Sequence, residues 1–258
     1  MDYQTLEYVL EDGAALVTMN RPELRNALNT QMRAELLHAV KLAESEARVL
    51  VLTGAGEAFC SGQDLSDRGT AANIDIERTL RDEYMPLLRA IYEARIPVMA
   101  AVNGPAAGAG ANLALAADVV VASEQAVFLQ AFSRIGLIPD AGGTYWLPRQ
   151  IGFAKAMGAA LFAEPVTARQ AESWGMIWEA VPADEFDAHW RKRMVQLAGG
   201  PTVTYSLAKK ALRESFDNDL GKQLALEARL QGKCGTTRDF REGVLAFVEK
   251  RSARFEGR

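Results

Sequence analysis

Histidine and cysteine are scarce in this sequence, with two of each in 258 residues. His38 and His189 both lie in stretches of helical spacing and no Gly-x-Ser-x-Gly turn is present. A Ser-His-Asp triad is therefore not expected, and acid–base work falls to a carboxylate, a lysine, a tyrosine or water. Cys60 and Cys234 stand far apart without metal-ligand spacing, which argues against a disulfide framework and a zinc site. No basic neighbour depresses the pKa of Cys60, so it reads as a small buried residue. No apolar run approaches the ~20 residues of a membrane span, and the first residues, MDYQTLEYVLEDG, carry acid where a secretory signal needs base. A cytoplasmic protein is expected. Basic residues are dispersed in a chain of formal net charge −4, so nucleic acid is not an expected partner. A Walker phosphate loop and a Gly-x-Gly-x-x-Gly dinucleotide turn are both missing.

What is present is a globular balance of 49% hydrophobic and 24% charged residues, enough for a sizeable core. The first half alternates strands with helices. Residues 15–19, 49–53, 97–102 and 118–122 read as strands because β-branched residues cluster between turn signals. Helices are expected over 30–47, capped by Asn29 or Thr30, over 76–94 with a kink at Pro86, and over 108–116. This is the pattern of an α/β fold with crossover connections. From Asp140 onward strand signals fade and helices are expected at 141–163, 167–174, 184–198, 201–215, 219–233 and 238–254. The Gly199-Gly200-Pro201-Thr202 break divides the chain into a core unit, 1–198, and a C-terminal helical segment, 199–258. No internal sequence repeat is evident.

Two small-residue loops could carry chemistry. Asn103-Gly104-Pro105-Ala106-Ala107-Gly108-Ala109-Gly110 follows an apolar strand and opens a helix, where unpaired N–H groups suit a developing oxyanion; a packing turn is the plain alternative. Gly54-Ala55-Gly56-Glu57-Ala58-Phe59-Cys60-Ser61-Gly62-Gln63-Asp64-Leu65 also follows a strand and can expose amides near Gly62 and Gln63. Two convergent N–H donors stabilise a thioester carbonyl as it gains negative charge, each typically contributing ~3–4 kcal/mol. Asp64 alone reads as a turn or cap acid.

These loops, together with Asn20-Arg21-Pro22-Glu23-Leu24-Arg25-Asn26-Ala27-Leu28 and Gly136-Leu137-Ile138-Pro139-Asp140-Ala141-Gly142-Gly143-Thr144, occur in an order and at separations that resemble the crotonase (enoyl-CoA hydratase/isomerase) superfamily. The likeness extends almost to the end, through Arg241–Arg251. It implies a crotonase-like spiral of repeated ββα units, a C-terminal helical trimerisation segment, and a homotrimer or dimer of trimers acting on an acyl-CoA. No metal or resident cofactor is implied, since coenzyme A arrives with the substrate. Matched residue by residue, the oxyanion amides are those of Gln63 and Ala109. Leu24, Arg25, Ala58, Ser61, Asp64 and Leu65 lie along the CoA path, and Phe247 and Lys250 resemble residues that reach the adenine end, often from a neighbouring subunit.

Hydratases of this superfamily hold and activate water with two glutamates. The matching positions here are Asn112 and Phe132, both placed along the substrate by the same matching, and phenylalanine exchanges no proton. Asp140 stands where hydratases commonly carry glycine. Local sequence favours an N-cap for it; the resemblance to dienoyl-CoA isomerases and to the ring-epoxide isomerases of phenylacetate breakdown, strongest over 131–149, implies a catalytic base. Phe132, Trp146 and Ile138 are candidates for an apolar lining that raises its pKa. The expected activity is an acyl-CoA isomerase using an oxyanion hole and one aspartate, on ring-1,2-epoxyphenylacetyl-CoA or on the double bond of an enoyl-CoA. The alternatives are an enoyl-CoA hydratase-like enzyme, a dehalogenase in which the aspartate attacks an aromatic ring, and a non-catalytic acyl-CoA binder.

Overall fold

The structure, a computed structural model, describes residues 2–67 and 75–258. Strands β1 (Leu6–Glu11) and β2 (Ala14–Met19) form an antiparallel hairpin, after which α1 (Thr30–Glu46) begins at Asn29, whose side chain accepts from the Met32 amide. Strand β3 (Val49–Gly54) leads to a helical run of α2 (Ile76–Thr79), a π-helical turn at Leu80–Tyr84, and α3 (Met85–Glu93). Pro86 is the second residue of α3 and follows directly on the π turn, within one continuous helical run. The irregularity expected at Pro86 is therefore taken up by the π turn just before it. Next come β4 (Val98–Val102), β5 (Ala106–Ala107), α4 (Ala109–Leu115), β6 (Val119–Ser123), β7 (Val127–Leu129) and α5 (Gly143–Phe162), the last kinked at Gly152. Strand β8 (Val166–Thr167), α6 (Ala168–Trp174), β9 (Glu179–Val181) and α7 (Phe186–Ala198) complete the core, and α8 (Thr202–Glu214), α9 (Leu220–Cys234) and α10 (Arg238–Glu249) follow.

The large sheet has the order β1-β2-β3-β4-β6-β9, parallel from β2 onward. A second layer is built from short pieces: β5 pairs with β7, and single bridges join Leu28 to Gln63 and Cys60 to Ala106. Each turn of the chain thus gives one long strand to the first layer, one short strand or bridge to the second, and then a helix. The repeat is a ββα spiral without a sequence repeat, because register and burial define it rather than side-chain identity. The central strands are buried on both faces, which is why they read as continuous apolar runs. Alternate residues serve two cores: Val17, Leu50, Leu52, Ala100 and Val102 face the second layer, while Leu16, Val51, Met99, Ala101 and Val121 face α7. That helix covers the sheet with Phe186, Trp190, Met194 and Ala198, spaced four apart on one stripe. Truncating Trp190 to alanine would cost about 3–5 kcal/mol.

Helix α8 is fastened to the core by charge. Asp118, at the start of β6, holds Lys209 Nζ and Arg213 Nη2, each at 2.6 Å, and Lys209 also donates to the Ala94 and Ile96 carbonyls. By contrast, α9 and α10 bury few side chains and leave Leu220, Leu224, Phe240, Val244, Phe247 and Val248 exposed. The helix expected over 238–254 stops at Glu249, where Lys250 turns left-handed at φ +53°. No helix among the described residues is long and apolar enough to cross a membrane.

Candidate active site

The two small-residue loops meet. Leu28 N–H donates to the Gly62 carbonyl and Asp64 N–H to the Leu28 carbonyl, at 2.8 and 3.2 Å. This bridge turns the intervening Gln63 N–H to the other side, where it has no acceptor among the described residues. Ala109 opens α4 directly after β5; Gly108 N–H is engaged by the Leu129 carbonyl, whereas Ala109 N–H is left without an acceptor among the described residues. Gly62, at φ +93°, lets the loops close: a Cβ there would stand 2.7 Å from the Ala107 carbonyl oxygen and 3.3 Å from the Ala109 nitrogen. The sequence-predicted oxyanion pair, Gln63 and Ala109, therefore lines one cavity of about 300 Å³.

Asp140 lines the same cavity. It does not act as the helix cap that local sequence favours. The helix begins at Gly143 with Gly142 in the cap position, and Gly143 N–H bonds the backbone carbonyl of Asp140 at 2.8 Å. The carboxylate Oδ1 is buried and has no hydrogen-bond partner among the described residues. Burial alone pushes the carboxyl pKa up to about 6. Among the described lining residues Asp140 is the one carboxylate; most of the others are apolar, including Leu65, Leu80, Phe132, Ile135 and Leu137.

Of the expected apolar lining, Phe132 does face the cavity and also covers Gly108. Trp146 and Ile138 do not line it. Trp146 is drawn beneath the turn by its packing on Gly142 and by Tyr92 and Tyr145, with Nε1 3.4 Å from the Ala141 carbonyl, and Ile138 is 77% exposed. Asn112, expected along the substrate, is wholly buried outside the lining, with its amide engaged by Asp140 and Gln130. Leu24 and Arg25 are held by Ser61, whose Oγ donates to the Leu24 carbonyl at 3.1 Å and whose N–H donates to the Arg25 carbonyl at 2.9 Å. Ser61 and Leu65 line the cavity mouth. Ala58 is buried and its carbonyl accepts from Asn26. Asp64 is opposed by burial, yet hydrogen bonds from Ser66 and Arg21 hold its carboxyl below the ordinary range, so it shapes the loop as an anion already paired. Phe247 and Lys250, on the exposed end of α10, are not brought to this cavity within one chain.

Sequence reasoning missed Tyr84 and Arg33. Tyr84, from the π turn, lines the cavity and donates its hydroxyl to Gln63 Oε1 at 2.6 Å; burial keeps the phenol protonated by pushing its pKa well above the ordinary value. Arg33, only 1% exposed, donates to the same Oε1 at 3.0 Å and pairs with Glu83 at 2.6 Å. Together they fix the side chain whose backbone amide points into the cavity. No local signal marks either residue, since both act through partners tens of residues away. Cys60 is fully buried with its thiol pKa pushed up to about 12, and neither histidine enters the cavity. A more open cleft of about 460 Å³ beside α8 carries Asp118, but Lys209 and Arg213 engage that carboxylate.

Comparison with known proteins places this geometry in context. The profile of the family described as enoyl-CoA hydratase/isomerase matches residues 10–258. The chain is 58% identical over its full length, and that of the relative, to a Rhodobacter capsulatus protein named "Probable enoyl-CoA hydratase". It is 45% identical to the Escherichia coli 1,2-epoxyphenylacetyl-CoA isomerase, over 98% of this chain and 100% of that one. The crystal structure of an enoyl-CoA hydratase from Polaromonas sp. JS666 superposes with a TM-score of 0.92 at 30% identity, covering 97% of this chain and 99% of the other.

Proposed function

The chain belongs to the enoyl-CoA hydratase/isomerase family, whose members act on CoA thioesters, and on that premise we propose that it is an acyl-CoA isomerase in which Asp140 is the sole proton carrier. The observation that carries this reading is made among the described residues: one carboxylate, its Oδ1 unpartnered, in an otherwise largely apolar cavity that also holds two amides without acceptors. Hydration adds water across a double bond and requires a nucleophile and a proton on adjacent carbons. Isomerisation has no net proton change, so one carboxylate suffices. Asp140 removes a proton conjugated to the thioester, the C–H electron pair enters a dienolate, and Gln63 and Ala109 N–H donate to its oxygen. The same carboxyl then returns the proton to a different carbon. A pKa of about 6 leaves the group ionised at neutral pH while strengthening it as a base. The step needs no resident cofactor.

Two acyl classes fit: ring-1,2-epoxyphenylacetyl-CoA, converted to its oxepin isomer, and a 3-enoyl-CoA moved to the 2-enoyl position. The 45% identity to the E. coli 1,2-epoxyphenylacetyl-CoA isomerase favours the first. Diode-array spectroscopy of wild type and Asp140→Asn with each substrate tests the assignment. The variant should lose about 10²–10⁴-fold in turnover and keep its thioester affinity; native turnover by a folded variant would remove Asp140 from the chemistry. A hydratase reading is favoured by the name of the R. capsulatus relative. It predicts loss of 2-enoyl-CoA absorbance at a rate comparable to isomerisation, in the same instrument.

The reading extends to assembly as a trimer or a dimer of trimers. The exposed apolar side chains of α9 and α10 suit burial against further copies, which would bring Phe247 and Lys250 to a neighbour's CoA. Sedimentation as a monomer at micromolar concentration would exclude it.

A further inference from the structure

Among the described residues no hydrogen bond aims the Asp140 carboxylate at its buried Oδ1, so its direction depends on how its backbone is held. The turn that carries it is strained, with Ala141 at φ +47°, a conformation that persists only where surrounding contacts impose it. One of those contacts is the Asn112 side chain. Nδ2 of Asn112 donates to the Asp140 carbonyl at 2.7 Å, beside the Gly143 N–H at 2.8 Å. Its Oδ1 accepts from Gln130 Nε2 at 2.9 Å, and Gln130 immediately precedes the 3₁₀ turn Ala131–Ile135 that presents Phe132. Asn112 itself stands on α4, three residues after the oxyanion amide of Ala109. One wholly buried amide therefore ties together the element bearing the oxyanion donor, the turn bearing the base and the turn bearing the apolar wall.

We propose that Asn112 is a positioning residue that sets where Asp140 stands relative to the oxyanion amides, an inference that rests on Asp140 being the base. The chemistry at position 112 is specific. The Asp140 carbonyl requires a donor and Gln130 Nε2 requires an acceptor, and an amide supplies both while a carboxylate supplies acceptors alone. The first residue of α5 is shaped to the contact: a Cβ on Gly143 would stand 2.4 Å from Asn112 Nδ2. Displacing the base by about 1 Å can cost on the order of 10²-fold in rate.

The test uses Asn112→Ala, which deletes the amide, and Gly143→Ala, which displaces it without altering residue 112. Each is measured alone and combined with Asp140→Asn. Turnover is read across pH, and affinity is read with hexanoyl-CoA, which has no double bond to move. Each single variant should lower kcat by tenfold or more, leave the hexanoyl-CoA Kd within twofold, and move the acid limb of kcat downward as the loosened carboxyl gains water. Combined with Asp140→Asn, neither should cost more than a further factor of two. Native kcat in either folded variant, an unmoved acid limb, or an equal loss in both backgrounds would overturn the positioning role. Native turnover by Asp140→Asn alone would instead overturn the assignment of the base, so the two failures are distinguishable.

Discussion

Asp140→Asn should make this protein more stable at neutral pH even as it removes activity. The carboxyl has a pKa of about 6 in the folded chain and about 3.9 when unfolded, so the folded state binds its proton more tightly. Ionisation above pH 6 is therefore a cost to folding. At about 1.36 kcal/mol per pH unit the gap of roughly two units gives an upper figure near 3 kcal/mol; solvent reaching this half-buried side chain screens it to about 1–2 kcal/mol. The cost is present in full above pH 6, has roughly halved by pH 5 and is gone near pH 4. Asparagine has nearly the same shape and no charge to desolvate. Replacing Asp140 should raise Tm by roughly 3–6 °C at pH 7.5, with the advantage shrinking as the buffer is acidified. Scanning calorimetry of both proteins at pH 7.5, 6 and 5 measures it. An Asn variant no more stable than wild type at pH 7.5, or one whose advantage grows toward acid, would refute the claim that burial alone raises this pKa.

Three further outcomes follow from the same geometry. The rate of isomerisation, kcat/KM, should be flat above pH 7 and fall tenfold per unit below about pH 6 as Asp140 takes up its proton, and a profile flat to pH 5 would contradict it. Gly62→Ala forces a side chain onto a φ of +93° and to 2.7 Å from the Ala107 carbonyl; by misplacing the Gln63 amide it should cost about 10²–10³-fold in kcat, read by steady-state kinetics beside a melting curve. Asp118→Asn leaves the half-buried cations Lys209 and Arg213 without their shared counter-ion, and should destabilise the chain by up to about 3 kcal/mol in urea unfolding.

Much of the fold was legible along the chain. β2, β3, β4 and β6 were visible because strands buried on both faces are runs of apolar residues, and Asn29 as a cap because its bond to Met32 is local. The other strands escaped notice. β1 is an edge strand whose side chains are mostly exposed or half-buried, and β5, β7, β8 and β9 are two or three residues long, too short to display a period. Pairing with distant chain creates them, and no property of two alanines at 106–107 announces a strand.

The sequence by itself determined the inventory of the site: two loops of small residues, the absence of paired glutamates, and an aspartate after Ile-Pro. It also carried the order of motifs from which the family was recognised. Only the tertiary structure decided where that aspartate stands. A cap and a base are the same residue in the same local string, and they differ in where the following helix starts and in what surrounds the carboxylate. Here the helix starts at Gly143, and Asp140 is left half-buried with its Oδ1 without a partner among the described residues. The surroundings of Asn112, Tyr84 and Arg33 likewise come from partners 18 to 50 positions away in the chain. Hydrogen bonds and desolvation act over a few ångströms of space, and distance along the sequence does not encode them.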